Sequence, residues 1–286
     1  MNRMFRGKPG SIRPPAVAGR FYPDNPVELR RMIENFLHEA ATPTGSACGT
    51  EAGLSWRRPV PKALIAPHAG FHYSGPVAAS AYAQLAPVRD VLKHVVLLGP
   101  SHYVLFDGIA ASSVQAFATP LGTVPVDTAA IAGICSRLPQ VSVRDDAHAD
   151  EHALEVQLPF LQVVLADFKI IPLLVGEASD KEIEAVIEAL WGGDETRFVI
   201  SSDLSHYHDY ETAQATDTET ARIIESLDAG KLHGDLACGF RPICGLLSAA
   251  KERGLRCCSV DLRNSGDMSG DRDHVVGYGA FVFTEN

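Results

Sequence analysis

The sequence predicts a single-domain α/β fold in which a mixed, mostly parallel sheet is covered by helices. Two observations carry this expectation. Short apolar runs such as KALIA, HVVLLG, KIIPLLVG and RFVIS show no polar alternation, as expected of strands buried on both faces. Between them lie segments with apolar residues at helical spacing and recognisable caps, so strand and helix alternate along most of the chain.

Taken in order, DNPVELRRMIENFL offers Asn25 as an N-cap, Pro26 at the first helical position and an apolar stripe of Leu29, Met32, Ile33, Phe36 and Leu37. Residues 41–60 are rich in Gly, Ser, Thr and Pro and read as a flexible surface loop inside one domain spanning 1–286. KALIA is the first buried strand, and SGPVAASAYAQL follows as a small-residue helix capped by Ser74. HVVLLG is the next strand. DEHALEVQLPFLQVVLAD sets Leu154, Leu158, Leu161 and Leu165 on one helical face. After the strand KIIPLLVG, SDKEIEAVIEALW carries a capping box, Ser179 with Glu182. RFVIS is a strand, ETARIIESLDAG a helix closed by Gly230, and PICGLLSAAKERG a helix closed by Gly254. LRCCSVDL and VVGYGAFVF are final strands whose Gly and Ser content suggests edges or bulges.

The composition narrows the function classes. Of 286 residues 46% are hydrophobic and 21% charged, and the net charge is −10, with no basic face for nucleic acid. No run is long enough to cross a bilayer, and MNRMFRGKPGSIRPP lacks the apolar core of a signal peptide. The six cysteines are scattered without a C-x-x-C pair, so a cytoplasmic protein without disulfides is expected.

Three strands end in the same grammar. His68, His102 and His206 each lie just past an apolar run, and Asp203 sits beside the third. Sites in open α/β sheets form at the carboxyl ends of strands, and clustered imidazoles with a carboxylate suit Fe, Cu, Zn or Ni. A single loop histidine is ordinarily a solvated or capping side chain, and it is the repetition that argues for a site. Cys238 in ACGFRPICG precedes a helix start, where a thiolate is stabilised, and is a candidate ligand beside the alternative of a small buried residue. Cys244 inside the helix fits the buried reading better. HADEHALE contains H-x-x-E-H, but Asp150 and Glu151 are what a helix start contains for dipole reasons alone. His152 is a candidate for the pocket wall, and Arg241 for pairing with an anion.

The ordered stretches RPPAVAGRFYP, ALIAPHAGFHYSGPVAA, VVLLGPSHY, TPLGTVPVD, DEHALEVQLPFLQ, IIPLLVG, FVISSDLSHY, ACGFRPICGLL and NSGD…VVGYGAFVF resemble the Memo (mediator of cell motility) family, whose prokaryotic members are called AmmeMemoRadiSam system protein B. The resemblance runs from about Ile12 to Phe283. It implies a fold like that of the class III extradiol dioxygenases, non-haem iron enzymes. It also implies a mononuclear transition metal, iron first with copper or zinc as alternatives, held by His68, His102 and Cys238. By the same resemblance His206 and Asp203 are the catalytic pair. The family name pairs it with a radical-SAM protein and an AMMECR-type protein, which are thereby candidate partners.

Phe21 marks a departure. The animal member carries tryptophan at the pocket rim there, and Phe21 keeps an aromatic substrate wall without an indole donor. The functional expectation is a non-haem metal-binding protein with dioxygenase-like oxidoreductase chemistry on an unknown substrate. The alternatives are a peptide- or anion-binding module with a vestigial metal site, and a metal-assisted hydrolase.

Overall fold

A computed structural model of the protein describes residues 11–41 and 60–285, so all but the ends of the 41–60 loop lie outside the described residues. In chain order the elements are β1 (Ile12–Arg13), α1 (Pro26–Ala40), β2 (Ala63–Ala66), α2 (Phe71–Tyr82), β3 (His94–Pro100), β4 (Ile109–Ala111), β5 (Ala116–Thr119), β6 (Gly122–Pro125), α3 (Thr128–Arg137) and β7 (Val141–Val143). Then come α4 (Asp145–His148), α5 (Leu158–Val164), β8 (Lys169–Val175), α6 (Asp180–Ala189), β9 (Thr196–Ser201), β10 (His206–His208) and α7 (Tyr210–Glu225). The chain closes with α8 (Phe240–Glu252), β11 (Arg256–Asn264), α9 (Gly266–Ser269) and β12 (Val275–Thr284).

The main sheet runs β10-β12-β2-β9-β3-β8-β4-β7, with β11 also paired to β12. Its centre, β2-β9-β3-β8, is parallel, while β12 runs antiparallel to β2 and β4 antiparallel to β8. Every residue of β2 and β9 is buried, which is what non-alternating apolar strands require. Helices α1, α2 and α5 pack together, and α6 packs on α8, which lies on β3 and β9. A small sheet, β1-β5-β6, was not foreseen because its strands are only two to four residues long.

Local chemistry explains the ends. Asn25 accepts from the N–H groups of Val27 and Glu28, and Ser179 and Glu182 form the reciprocal capping box. Four expectations need correction. Ser74 does not cap α2, which begins three residues earlier behind Gly70, and its hydroxyl donates instead to the Ala69 carbonyl. Helix α7 ends at Glu225, before Gly230. The predicted helix from Asp150 is interrupted: Pro159 is compatible only with a first helical turn, so the α-helix starts beside it and only 158–164 is α-helical. Cys258 is disulfide-bonded, against the expectation of wholly reduced cysteines.

The order β2-β9-β3 has a direct consequence. Ala66 pairs with Ser201 and Leu98 with Ile200, so the three strands end together. The loops that follow them carry His68, Asp203 and His102 to one edge.

Candidate metal centre

His68 is 2% exposed, and its ring is held in one tautomer. The Ser201 hydroxyl donates to the Ala153 carbonyl at 2.6 Å and accepts from Gln157 Nε2 at 2.8 Å. Gln157 is fixed in turn by the Pro67 carbonyl, 3.0 Å from its amide nitrogen, and by the Tyr82 hydroxyl, 2.7 Å from its amide oxygen. With the only Ser201 proton committed, His68 Nδ1, 2.9 Å from Ser201 Oγ, must be the donor in that bond. The lone pair is therefore on Nε2, which lies 3.3 Å from Cys238 Sγ. Burial, assisted by the neighbouring His102, lowers the His68 pKa to about 3, so the ring is neutral and able to ligate.

His102 is oriented by Glu151. One carboxylate oxygen lies 2.8 Å from His102 Nδ1, and the other accepts the His102 backbone N–H at 2.6 Å. Burial alone would raise Glu151. The His102 hydrogen bond and charge and two backbone donors outweigh it and hold the carboxyl at about 2. Carboxylate, imidazole and a free Nε2 form the supporting arrangement found behind metal-ligating histidines.

The ligand atoms of His68, His102 and Cys238 all lie within 4.8 Å of one another. Donors bound to one ion sit about 3.5 Å apart, from metal–ligand bonds of about 2.0–2.3 Å, so these side chains fit a single cation with little movement. His102, Glu151 and His152 form a second such group. Cys238 lies between α7 and α8 and packs against the loop after β9, its N–H donating to the Asp203 carbonyl at 3.3 Å, one residue before the Gly239 cap of α8. The Gly239 N–H at that helix start favours its thiolate only weakly. Burial first, and the Asp203 charge second, push the thiol up to about 12. A cation would thus displace the thiol proton on binding.

Gly239 lets this approach happen. A Cβ there would sit 2.7 Å from Ser202 Cβ and 2.8 Å from the Ser201 carbonyl oxygen. Gly239→Ala is expected to push the start of α8, and Cys238 with it, away from the loop. The expected results are about 1–3 kcal/mol of lost stability and weakened metal uptake, read by denaturant titration and metal analysis.

Asp203 and His206 stand apart in a way the sequence did not reveal. Asp203 Oδ1 accepts the His68 backbone N–H at 2.7 Å, so it fixes the ligand loop. Among the described residues no hydrogen bond joins it to His206, although His206 acts electrostatically on it. Burial raises the Asp203 pKa. His206 is half-buried in β10, next to Tyr207, whose φ of 62° is a left-handed conformation that a bulky residue rarely adopts. Beneath it, buried Asp217 accepts the Ser205 N–H at 3.0 Å, and a Cβ on Gly277 would fall 1.9 Å from the Asp217 carboxylate.

The pocket-wall residues divide. The His152 ring stacks on His102 at 4.7 Å and touches Phe21 at 4.8 Å, placing both beside the two imidazoles. Arg241 lies on the other side of Cys238. It is ion-paired with Glu177, stacks over Phe240 at 4.6 Å, and with Cys238 borders a cavity of about 200 Å³. Sequence reasoning missed Ser201, Gln157 and Asp217. Glu151 was noticed only as a helix-start acid, since no spacing links residue 151 to residue 102.

The Memo-like protein family matches residues 13–282 of the chain. A MEMO1 family protein of Methanopyrus kandleri is 37% identical over 288 residues, covering 95% of this chain and 98% of that protein. Another from Methanothermobacter thermautotrophicus is 36% identical over 282 residues, covering 93% and 98%. One from Nitrosopumilus maritimus is 31% identical over 283 residues, covering 95% and 99%.

Proposed function

The chain belongs to the Memo-like protein family, and from that premise we propose that it is a mononuclear metalloprotein with a dioxygenase-like oxidoreductase pocket, iron being the first candidate metal and copper or zinc the alternatives. One observation carries the reading: two imidazoles and one thiol present their donor atoms within 4.8 Å of one another. His68 and His102 enter with their second nitrogens already engaged, so little reorganisation opposes binding.

Bound iron would supply redox capacity and open coordination positions. A thiolate is a softer and more electron-donating third ligand than a carboxylate, which is why copper and zinc remain in the set. In this reading His206, half-buried and acting electrostatically on His68 and Asp203, is the general acid/base, exchanging a proton with substrate through its ring. Asp203 supports the centre from behind by holding the His68 backbone. Phe21 and His152, in ring contact, form one wall of the pocket.

A second reading, an anion-binding module, rests on Arg241 standing beside the cavity that Cys238 borders. Oxygen uptake with a panel of catechols separates the two, since only the first predicts consumption.

Elemental analysis of protein purified without chelators tests the centre itself. The wild-type chain is expected to carry ~1 ion, and His68→Ala and Cys238→Ser less than about a tenth of that while still folded. Full occupancy in both variants would refute the assignment.

A further inference from the structure

A cavity of about 610 Å³, three times the volume of the one beside Cys238, lies at the opposite end of the sheet from the metal centre. His94 opens β3 and Lys169 opens β8, and the two are register partners, so this cavity sits at the amino ends of the strands whose carboxyl ends face the candidate centre. Its volume falls within the range of small-molecule sites, about 300–1,000 Å³.

Its lining is cationic in a chain of net charge −10. Arg30, Lys93 and Lys169 border it, and Asp167 is the one acid in the lining. Among the described residues no hydrogen bond or ion pair engages the side chains of these three cations. His94, between them, is already bonded to Asp127 at 2.9 Å. The backbone nearby is committed as well, since the N–H groups of Lys93 and His94 both donate to the Glu195 carbonyl. What remains for a ligand is therefore side-chain positive charge, gathered from α1 and from the leads into two central strands.

We infer that this cavity binds a small organic anion with two or more negative charges, a phosphate ester of about mononucleotide size. Three cations that outnumber the single Asp167 in the lining favour a multiply charged group over a single carboxylate, and a guanidinium with two ammonium groups suits phosphate oxygens. The volume exceeds what one phosphate fills, and Leu121 and Pro125 offer the organic part an apolar wall. The site is independent of the metal centre.

Calorimetric titration at low ionic strength tests it, with ADP and inorganic pyrophosphate as probes on the protein as purified. The expected result is saturable one-to-one binding of ADP that weakens with added NaCl. Lys93→Ala and Lys169→Ala should each weaken it about tenfold or more, the scale of losing one charged hydrogen bond. Both side chains are exposed, so unchanged melting curves confirm that these variants fold. His68→Ala should bind as tightly as wild type. The inference is overturned by three results: no saturable binding of either probe, undiminished binding in the lysine variants, or loss of binding in His68→Ala, which would place the anion at the metal centre.

Discussion

Replacing Glu155 with alanine is expected to lower the melting temperature by about 10 °C, from a loss of about 3–5 kcal/mol at roughly 2–4 °C per kcal/mol for a chain of this size. Glu155 is fully buried and pairs with Arg13 at 2.7 Å, itself 1% exposed. The same carboxylate accepts the backbone N–H groups of Ala16 and Val17 and the Tyr22 hydroxyl, at 2.8, 3.0 and 2.6 Å. Alanine would leave a buried guanidinium, a hydroxyl and two amides without their acceptor. The effect reaches the pocket, because these bonds fix residues 16–22 and Phe21 lies among them, against His152. Thermal unfolding read by circular dichroism measures the loss. A melting temperature within a degree or two of wild type would contradict the account.

Glu151→Gln is expected to weaken metal binding about 10–100-fold while leaving the three ligands in place. Glu151 faces donors on both oxygens: the His102 ring nitrogen and the Ala153 N–H on one, the His102 N–H on the other. A carboxamide has only one acceptor oxygen, so its NH2 must face a donor. If that donor is the His102 ring, the imidazole proton moves to Nε2, the nitrogen required for the metal. Some stability, about 1–3 kcal/mol, is lost as well. Competition against a chromophoric chelator reads the affinity. Unchanged affinity would mean that His102 is not held for ligation by Glu151.

What the sequence revealed, and what it hid, follows from the range of the forces involved. The central strands were legible because continuous apolar runs such as Leu64–Ile65 and Val95–Leu98 have no alternative but double-sided burial. Asn25 and Ser179 were legible because capping is local chemistry. His68 and His102 were legible because both follow strand ends, and the β2-β9-β3 order brings those ends together. The supporting shell was not. Gln157 reaches Ser201 across 44 positions, and Glu151 reaches His102 across 49. Such pairs exist only once the fold has closed. The break in the predicted 150–167 helix is local instead, since Pro159 lacks the N–H a helix interior needs and α5 begins beside it. The activated thiolate expected from the α8 start was outweighed by burial.

The central claim is that two imidazole nitrogens and the Cys238 sulfur share one cation. X-ray absorption at the metal edge of protein loaded with zinc, a redox-silent probe, tests it most directly. The account predicts one sulfur at about 2.3 Å with nitrogen or oxygen neighbours at about 2.0–2.1 Å, and loss of the sulfur in Cys238→Ser. A wild-type spectrum fitted by nitrogen and oxygen alone would contradict it.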